Sequence, residues 1–361
     1  MAHLDDEDDE QSEHEARDEA LITGPDLQKR GEALLCKSRR IGNDDDRQQE
    51  ALTYAEACSD IFRQLNSKSD LVEALWAMAD PLYSLKRFEE ARTASVEAAE
   101  LAAETMSESK AAKLFYNAAG CSYNLREHQL AADFCLKSAD FFRVNDEQVE
   151  VGRASVWAGK NFACFGNYVV AVRCITAAIK IFEEESSMVK LADALRILAK
   201  VYLEIGDAPK ARQALERAEA CLELVHDLTV AEKIQYSSAR LLALEGKHAL
   251  AIEAFQERYD SGMELNNPEF TSKAAYGLAL SQFALGQYDP ATKTFRNLAL
   301  ALKGSKGPIT ALDALVQLLK CFTRQGLLLD QEQTIKQIFE IPEARENLAL
   351  MNELELHWGV K

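Results

Sequence analysis

Residues 203–220 read LEIGDAPKARQALERAEA. Gly206 and Pro209 make a bend, after which Ala211, Ala214, Leu215 and Ala218 recur at helical spacing. Alanine buries little area, so a helix face built from it is useful only where another helix comes very close. Glycine accepts the positive φ of a helix C-terminus and proline suits a helix start, so the bend joins two helices.

Stepping forty residues from Ala211 in both directions gives Ala51, Ala91, Ala131, Ala171, Ala251, Ala291 and Gln331. Other columns keep the same register. Five residues earlier stand Gly166, Gly206, Gly246, Gly286 and Gly326, with Lys86 and Arg126 in the earlier repeats. Twelve residues earlier stand Ala79, Ala119, Gly159, Ala199, Ala239, Ala279 and Leu319. Three earlier, Phe88, His128, Tyr168, His248 and Tyr288 recur; four later come Ser95, Cys135, Ile175, Leu215, Phe255, Phe295 and Ile335. A fixed period of this length marks a stacked repeat. Each repeat reads as a helix hairpin. Its two small residues face one another, Ala199 against Ala211 in the opening stretch, and the larger residue a turn later fills the wedge toward the next repeat.

Tyr168–Ala171–Ile175, His248–Ala251–Phe255 and Tyr288–Ala291–Phe295 resemble the motif of the tetratricopeptide repeat (TPR) family, over about residues 30–340. The usual repeat of that family is 34 residues. The forty here is similar to long-repeat members such as the soluble NSF attachment proteins, bacterial peptide receptors and spindle-orientation adaptors. The resemblance implies an all-α fold: a right-handed α-solenoid of about eight helix-turn-helix repeats over residues 25–341, closed by a C-terminal capping helix over 342–361. The ends depart from the motif, with Arg39, Asp46 and Gln48 in the first repeat and Leu319, Leu328 and Gln331 in the last, as terminal repeats do. Pro342 opens an amphipathic segment that runs to Trp358 and caps the stack.

The formal charge is -18, and residues 1–20 carry half of it, with ten acidic side chains and one basic. This acidic tail, residues 1–24, has almost no apolar content before Leu21 and is expected to be disordered. A chain of this sign repels phosphate backbones, which argues against nucleic acid. No apolar run is long enough to cross a bilayer and the acidic N-terminus is unlike a signal peptide, so a cytoplasmic protein is expected. The eight cysteines stand singly and read as reduced, buried packing thiols.

In a TPR solenoid the first helices line the concave face. The resemblance places Lys160, Lys200, Arg240 and Lys320 there in one column, interrupted by Leu280. Lys113, Arg153, Lys233 and Lys273 form a second, interrupted by Asp193. Trp76, Tyr116, Tyr236 and Tyr276 form a third, and Trp157, Arg196 and Arg324 lie among them. Basic and aromatic residues gathered on one face of an acidic chain suit an acidic, extended or helical peptide of a partner: charge steers it and the rings give it apolar area to bury. The alternative is a solvated helix face, since Lys and Arg are good helix formers. The chaperone-tail carboxylate clamp of the family needs Lys and Asn at set positions. Those positions carry Trp76 with Asp80, Tyr116 with Gly120, and Val156 with Lys160, so that function is not expected.

The sequence contains no HExxH, GxSxG, GxxxxGK[ST] or GxGxxG. His128 and His248 fall in the aromatic turn column and read as structural. A non-enzymatic adaptor or scaffold without cofactor or metal is therefore expected, with a peptide-sensing receptor, a trafficking adaptor similar to soluble NSF attachment proteins, and a self-associating scaffold as alternatives. A further alternative concerns the tail, which is either solubilising or a competitor for the groove.

Overall fold

The computed structural model describes residues 26–222, 227–305 and 309–359; the acidic tail lies outside them. The described residues form helices joined by turns. They comprise α1 (Leu27–Ile41), α2 (Gln48–Gln64), α3 (Lys68–Ser84), α4 (Phe88–Glu104), α5 (Glu108–Asn124), α6 (His128–Val144), α7 (Gln148–Cys164), α8 (Tyr168–Glu184) and α9 (Met188–Ile205). These are followed by α10 (Ala208–Leu222), α11 (Leu228–Leu244), α12 (His248–Glu264), α13 (Pro268–Ala284), α14 (Tyr288–Ala301), α15 (Ala311–Gln325), α16 (Leu328–Phe339), α17 (Pro342–Glu346) and α18 (Leu348–Trp358). From Lys68 to Pro268 the first helix of each repeat begins every forty residues. The chain divides into two compact units, one up to Val201 and one from Tyr202, with the boundary inside α9.

Within the first unit, helices α1 to α8 pack each on the next. Gly159 of α7 shows why the small columns are small. A Cβ there would stand 2.5 Å from Ile175 Cγ1 and 3.0 Å from the carbonyl oxygen of Ala171. The paired alanines of neighbouring repeats, Ala79 with Ala91 and Ala119 with Ala131, are buried as well. The second unit repeats this construction. Phe255 of α12 lies against Tyr236 of its own repeat, with ring centroids 5.8 Å apart. Its ring also fills the space at Gly277 of the following repeat, where a Cβ would meet it at 2.5 Å. This is the wedge role assigned to the large residue a turn after the alanine.

The turn column does what its glycines suggest: Gly166, Gly206, Gly246, Gly286 and Gly326 all have positive φ. Lys86 and Arg126, which take glycine's place in two repeats, adopt the same left-handed conformation at φ 61° and 64°. The turns between repeats are left-handed too, at Asn66, Met106, Asp146, Ser186 and Asn266. In the first repeat, where Asp46 replaces glycine, a short 3₁₀ helix (Asp45–Arg47) makes the turn. There the buried Gln48 amide donates to the carbonyls of Gly42 (2.9 Å) and Asp44 (2.8 Å).

The C-terminal segment is two helices rather than one. Asn347 interrupts it and caps α18, accepting from the Leu350 amide at 3.1 Å. Leu350 and Leu354 of α18 enter the core of the second unit beside Leu315, Leu319 and Phe322. The thiols also differ from expectation: Cys36 and Cys164 are exposed, because both lie on the solvent side of their helices. Cys58, Cys121, Cys135 and Cys321 are buried, and burial pushes their thiols up, Cys58 and Cys135 to about 12 and the others to about 11.

Candidate protein-binding surface

The basic and aromatic residues of the first unit converge on α5 and α7. Tyr116 and Tyr123 are seven residues apart and so share a face of α5. Trp157 of α7 stands between them, edge-on to Tyr116 at 5.8 Å and to Tyr123 at 5.6 Å. Two cations lie over these rings. Arg153 sits 5.4 Å from the Tyr116 centroid, while Lys160 Nζ sits 4.5 Å from Tyr123 and 4.7 Å from Trp157. Each aromatic pair contributes about 0.5–1.5 kcal/mol beyond its burial, and a partly exposed cation over a ring roughly 0.5–1 kcal/mol. The cluster is therefore held in place before any partner arrives.

Its supports come from the buried side. Asn161, fully buried, donates through Nδ2 to the Trp157 carbonyl at 2.9 Å, and its Oδ1 lies 3.3 Å from His128 Nδ1. His128 in turn packs edge-on against Tyr123 at 5.5 Å, which gives it the structural role expected of the turn column. Burial raises the Tyr116 hydroxyl pKa, with the Arg153 charge opposing. Arg153 also pairs with Glu150 at 2.5 Å. Lys113, one turn before Tyr116, is exposed.

Other positions of the columns are occupied differently. Glu73 holds the place of Lys113 and Arg153 in the preceding repeat, paired to Arg39 and, at 2.5 Å, to Lys110. Burial pushes its carboxyl up, but hydrogen bonds from Lys110 and Arg39 outweigh that and hold it below the usual carboxylate range. Trp76 is half-buried against the core of the unit. Arg196 is tied to Asp193 of its own helix at 2.7 Å, so the residue that interrupts the basic column also neutralises its neighbour. Lys200 is half-buried near the end of this unit.

In the second unit the tyrosines serve packing first. Tyr236 lies against Phe255 and Phe270, and Tyr276 against Phe295. Burial raises both hydroxyl pKa values, Tyr276 to about 12 with the Asp313 carboxylate adding to the effect. Lys273 pairs with Glu269 (2.5 Å), and Lys320 with Glu353 of α18 (2.9 Å). Lys233 and Arg324 are exposed and Arg240 is half-buried beside Tyr236.

Tyr123 is the member of the cluster that sequence reasoning missed. Its signal was present: Tyr83, Tyr123 and Phe283 share a forty-residue column. No group of three or more His, Cys, Asp and Glu among the described residues is placed to hold a metal. None of the described helices is long and apolar enough to cross a membrane.

The fold is that of a TPR-like helical-repeat protein, the architecture of protein-binding adaptors. Residues 106–297, just over half of the chain, match the family model for soluble NSF attachment protein. The chain belongs to the soluble NSF attachment protein family. Solved structures of similar fold include the apo quorum sensor NprR from B. thuringiensis, at 17% identity, 94% coverage of both chains and a TM-score of 0.65. RapI is similar at 16% identity over 76% of this chain and 97% of its own, TM-score 0.61. Aspartyl phosphate phosphatase F from Bacillus subtilis is similar at 15% identity over 78% of this chain and 73% of its own, TM-score 0.60. No curated protein sequence matches the chain significantly.

Proposed function

We propose that this protein is a non-enzymatic attachment adaptor that holds an acidic helical or extended segment of a partner against the cation–aromatic surface of α5 and α7. The observation that carries this reading is the seating of Arg153 and Lys160 over the rings around Trp157. Cations fixed over rings lose little side-chain entropy when they meet a carboxylate, and the half-buried rings offer their remaining apolar area to the partner's aliphatic stems. Within the same unit, Lys113, exposed one turn before Tyr116, adds positive charge beside the cluster and would steer an acidic partner; Lys200, Lys233, Arg240 and Arg324 are further basic positions of the two units. Family membership favours a helical bundle as that partner, engaged together with a large ATPase.

The test is co-sedimentation with an acidic helical bundle at low and high salt. Wild type is expected to bind with an affinity that falls as salt rises, and Arg153→Glu/Lys160→Glu to bind at least tenfold more weakly. Equal binding by both proteins would refute the reading. A second reading, a peptide-sensing receptor, is favoured by the likeness in fold to NprR, which has also been solved with its cognate peptide NprX. It predicts compaction on peptide addition, visible in solution scattering.

A further inference from the structure

The surface on α5 and α7 has a candidate occupant within its own chain. Residues 5–19 contain ten acidic side chains and one basic, Arg17. This is the densest negative charge in a protein whose first unit gathers Lys113, Arg153 and Lys160 on one face. Lys113 is exposed and has no ion-pair partner among the described residues. We propose that residues 5–19 dock on the cation–aromatic surface formed by Tyr116, Tyr123, Arg153, Trp157 and Lys160, and compete there with the partner. This rests on the protein-binding reading above.

The lengths agree. The described chain enters the first unit at Asp26, which caps α1 by accepting from the amides of Gln28 and Lys29. Helices packed side by side lie about 8–10 Å apart, which puts the first helices two and three repeats on at roughly 20–30 Å from α1. A random coil of about fifteen residues, the length of chain between Asp26 and the middle of the acidic run, would have a root-mean-square span of roughly 20–23 Å. Fully extended it reaches about 50 Å. The tether is therefore matched to the distance, the condition under which a linked segment acts at an effective concentration of about 1 mM. If the segment alone binds with a dissociation constant of about 0.1 mM, the tether lowers the apparent affinity for a competing partner roughly tenfold. Carboxylates in place of a partner's acidic side chains meet the same cations, so the competition is screened by salt along with partner binding.

The test uses a fluorescein-labelled peptide of residues 1–20 as the probe and reads anisotropy at low salt. It is titrated with the full chain, with a chain lacking residues 1–20, and with the full-length chain whose ten tail acids are replaced by Asn and Gln. The expected result is binding to the truncated and neutralised chains, about tenfold weaker binding to the wild-type chain, and loss of binding when Arg153→Glu/Lys160→Glu is added to the neutralised chain. Equal affinity for all three chains would overturn the proposal while leaving the surface a site for acidic segments. Failure of the peptide to bind the neutralised chain would also overturn it, if that chain still binds the acidic helical bundle. Failure of both peptide and bundle would take down the tail proposal and the protein-binding reading together.

Discussion

Lys160 and Tyr123 belong to different repeats, yet the Lys160 ammonium stands 4.5 Å from the Tyr123 ring centroid. Trp157 lies beside both. A cation carried by one first helix is thus positioned by a ring on the preceding one. This juxtaposition makes the surface a property of two neighbouring repeats rather than of either alone. Trp157→Leu removes the ring that both tyrosines meet. The variant is expected to lose about 1–3 kcal/mol of stability and at least fivefold in affinity for an acidic partner, measured by denaturation and anisotropy.

The close approach of α7 and α8 gives a sharp test of the repeat packing. Gly159→Ala adds a methyl group where Ile175 and the Ala171 carbonyl already stand at 2.5 and 3.0 Å. Overpacking of this kind typically costs about 1–3 kcal/mol. A lowered midpoint of urea unfolding is expected; an unchanged midpoint would mean that the two helices separate freely.

The left-handed turns predict the opposite effect. Arg126 holds φ 64° where five other repeats use glycine. Arg126→Gly relieves the steric penalty of a side chain there and is expected to raise stability by about 0.5–1 kcal/mol. Gly166→Ala, at φ 84°, is expected to lower it by a similar amount. Thermal melts of the two variants check both signs.

Glu73 predicts a pH dependence. Lys110 and Arg39 hold its carboxyl below the ordinary range against the effect of burial. Its contribution is therefore present above the unfolded carboxylate pKa of about 4.3 and lost as pH falls through the lower folded value. Glu73→Gln is expected to cost about 1 kcal/mol at pH 7, with the gap to wild type closing in acid. A gap that persists unchanged at pH 3 would contradict this assignment.

The cysteines divide by exposure. Cys36 and Cys164 are exposed, whereas Cys58, Cys121 and Cys135 are buried with thiols raised to about 11–12. Mass spectrometry after brief maleimide treatment of the native protein is expected to find the first two modified and the other three unmodified.

The period of the repeat was legible because it fixes backbone geometry: Gly206 bends the chain, and the alanine comb marks where helices touch. Side-chain pairing was less legible. Tyr236 and Tyr276 share a column with Tyr116, but a phenylalanine on the following helix draws each of them into packing. Arg196 falls in the register of Tyr116 and Tyr236, where it adds a basic side chain to the face, yet Asp193 lies three residues away on the same helix and claims it. The division at Val201 left no mark in the register, since it falls within a continuous helix of ordinary composition. Lys86 and Arg126 in left-handed turns were visible only as missing glycines.

The most direct test of the central claim is a quantitative pull-down from the source cells, read by mass spectrometry, with three proteins compared. These are wild type, Arg153→Glu/Lys160→Glu on the first-helix surface, and Arg173→Glu/Lys180→Glu on the exposed side of α8, which makes the same change in charge. Circular dichroism verifies that all three are folded. The account predicts that specific partners are retained by wild type and the α8 variant and lost from the α7 variant. Retention by all three, or loss from both variants alike, would contradict a working surface on α5 and α7.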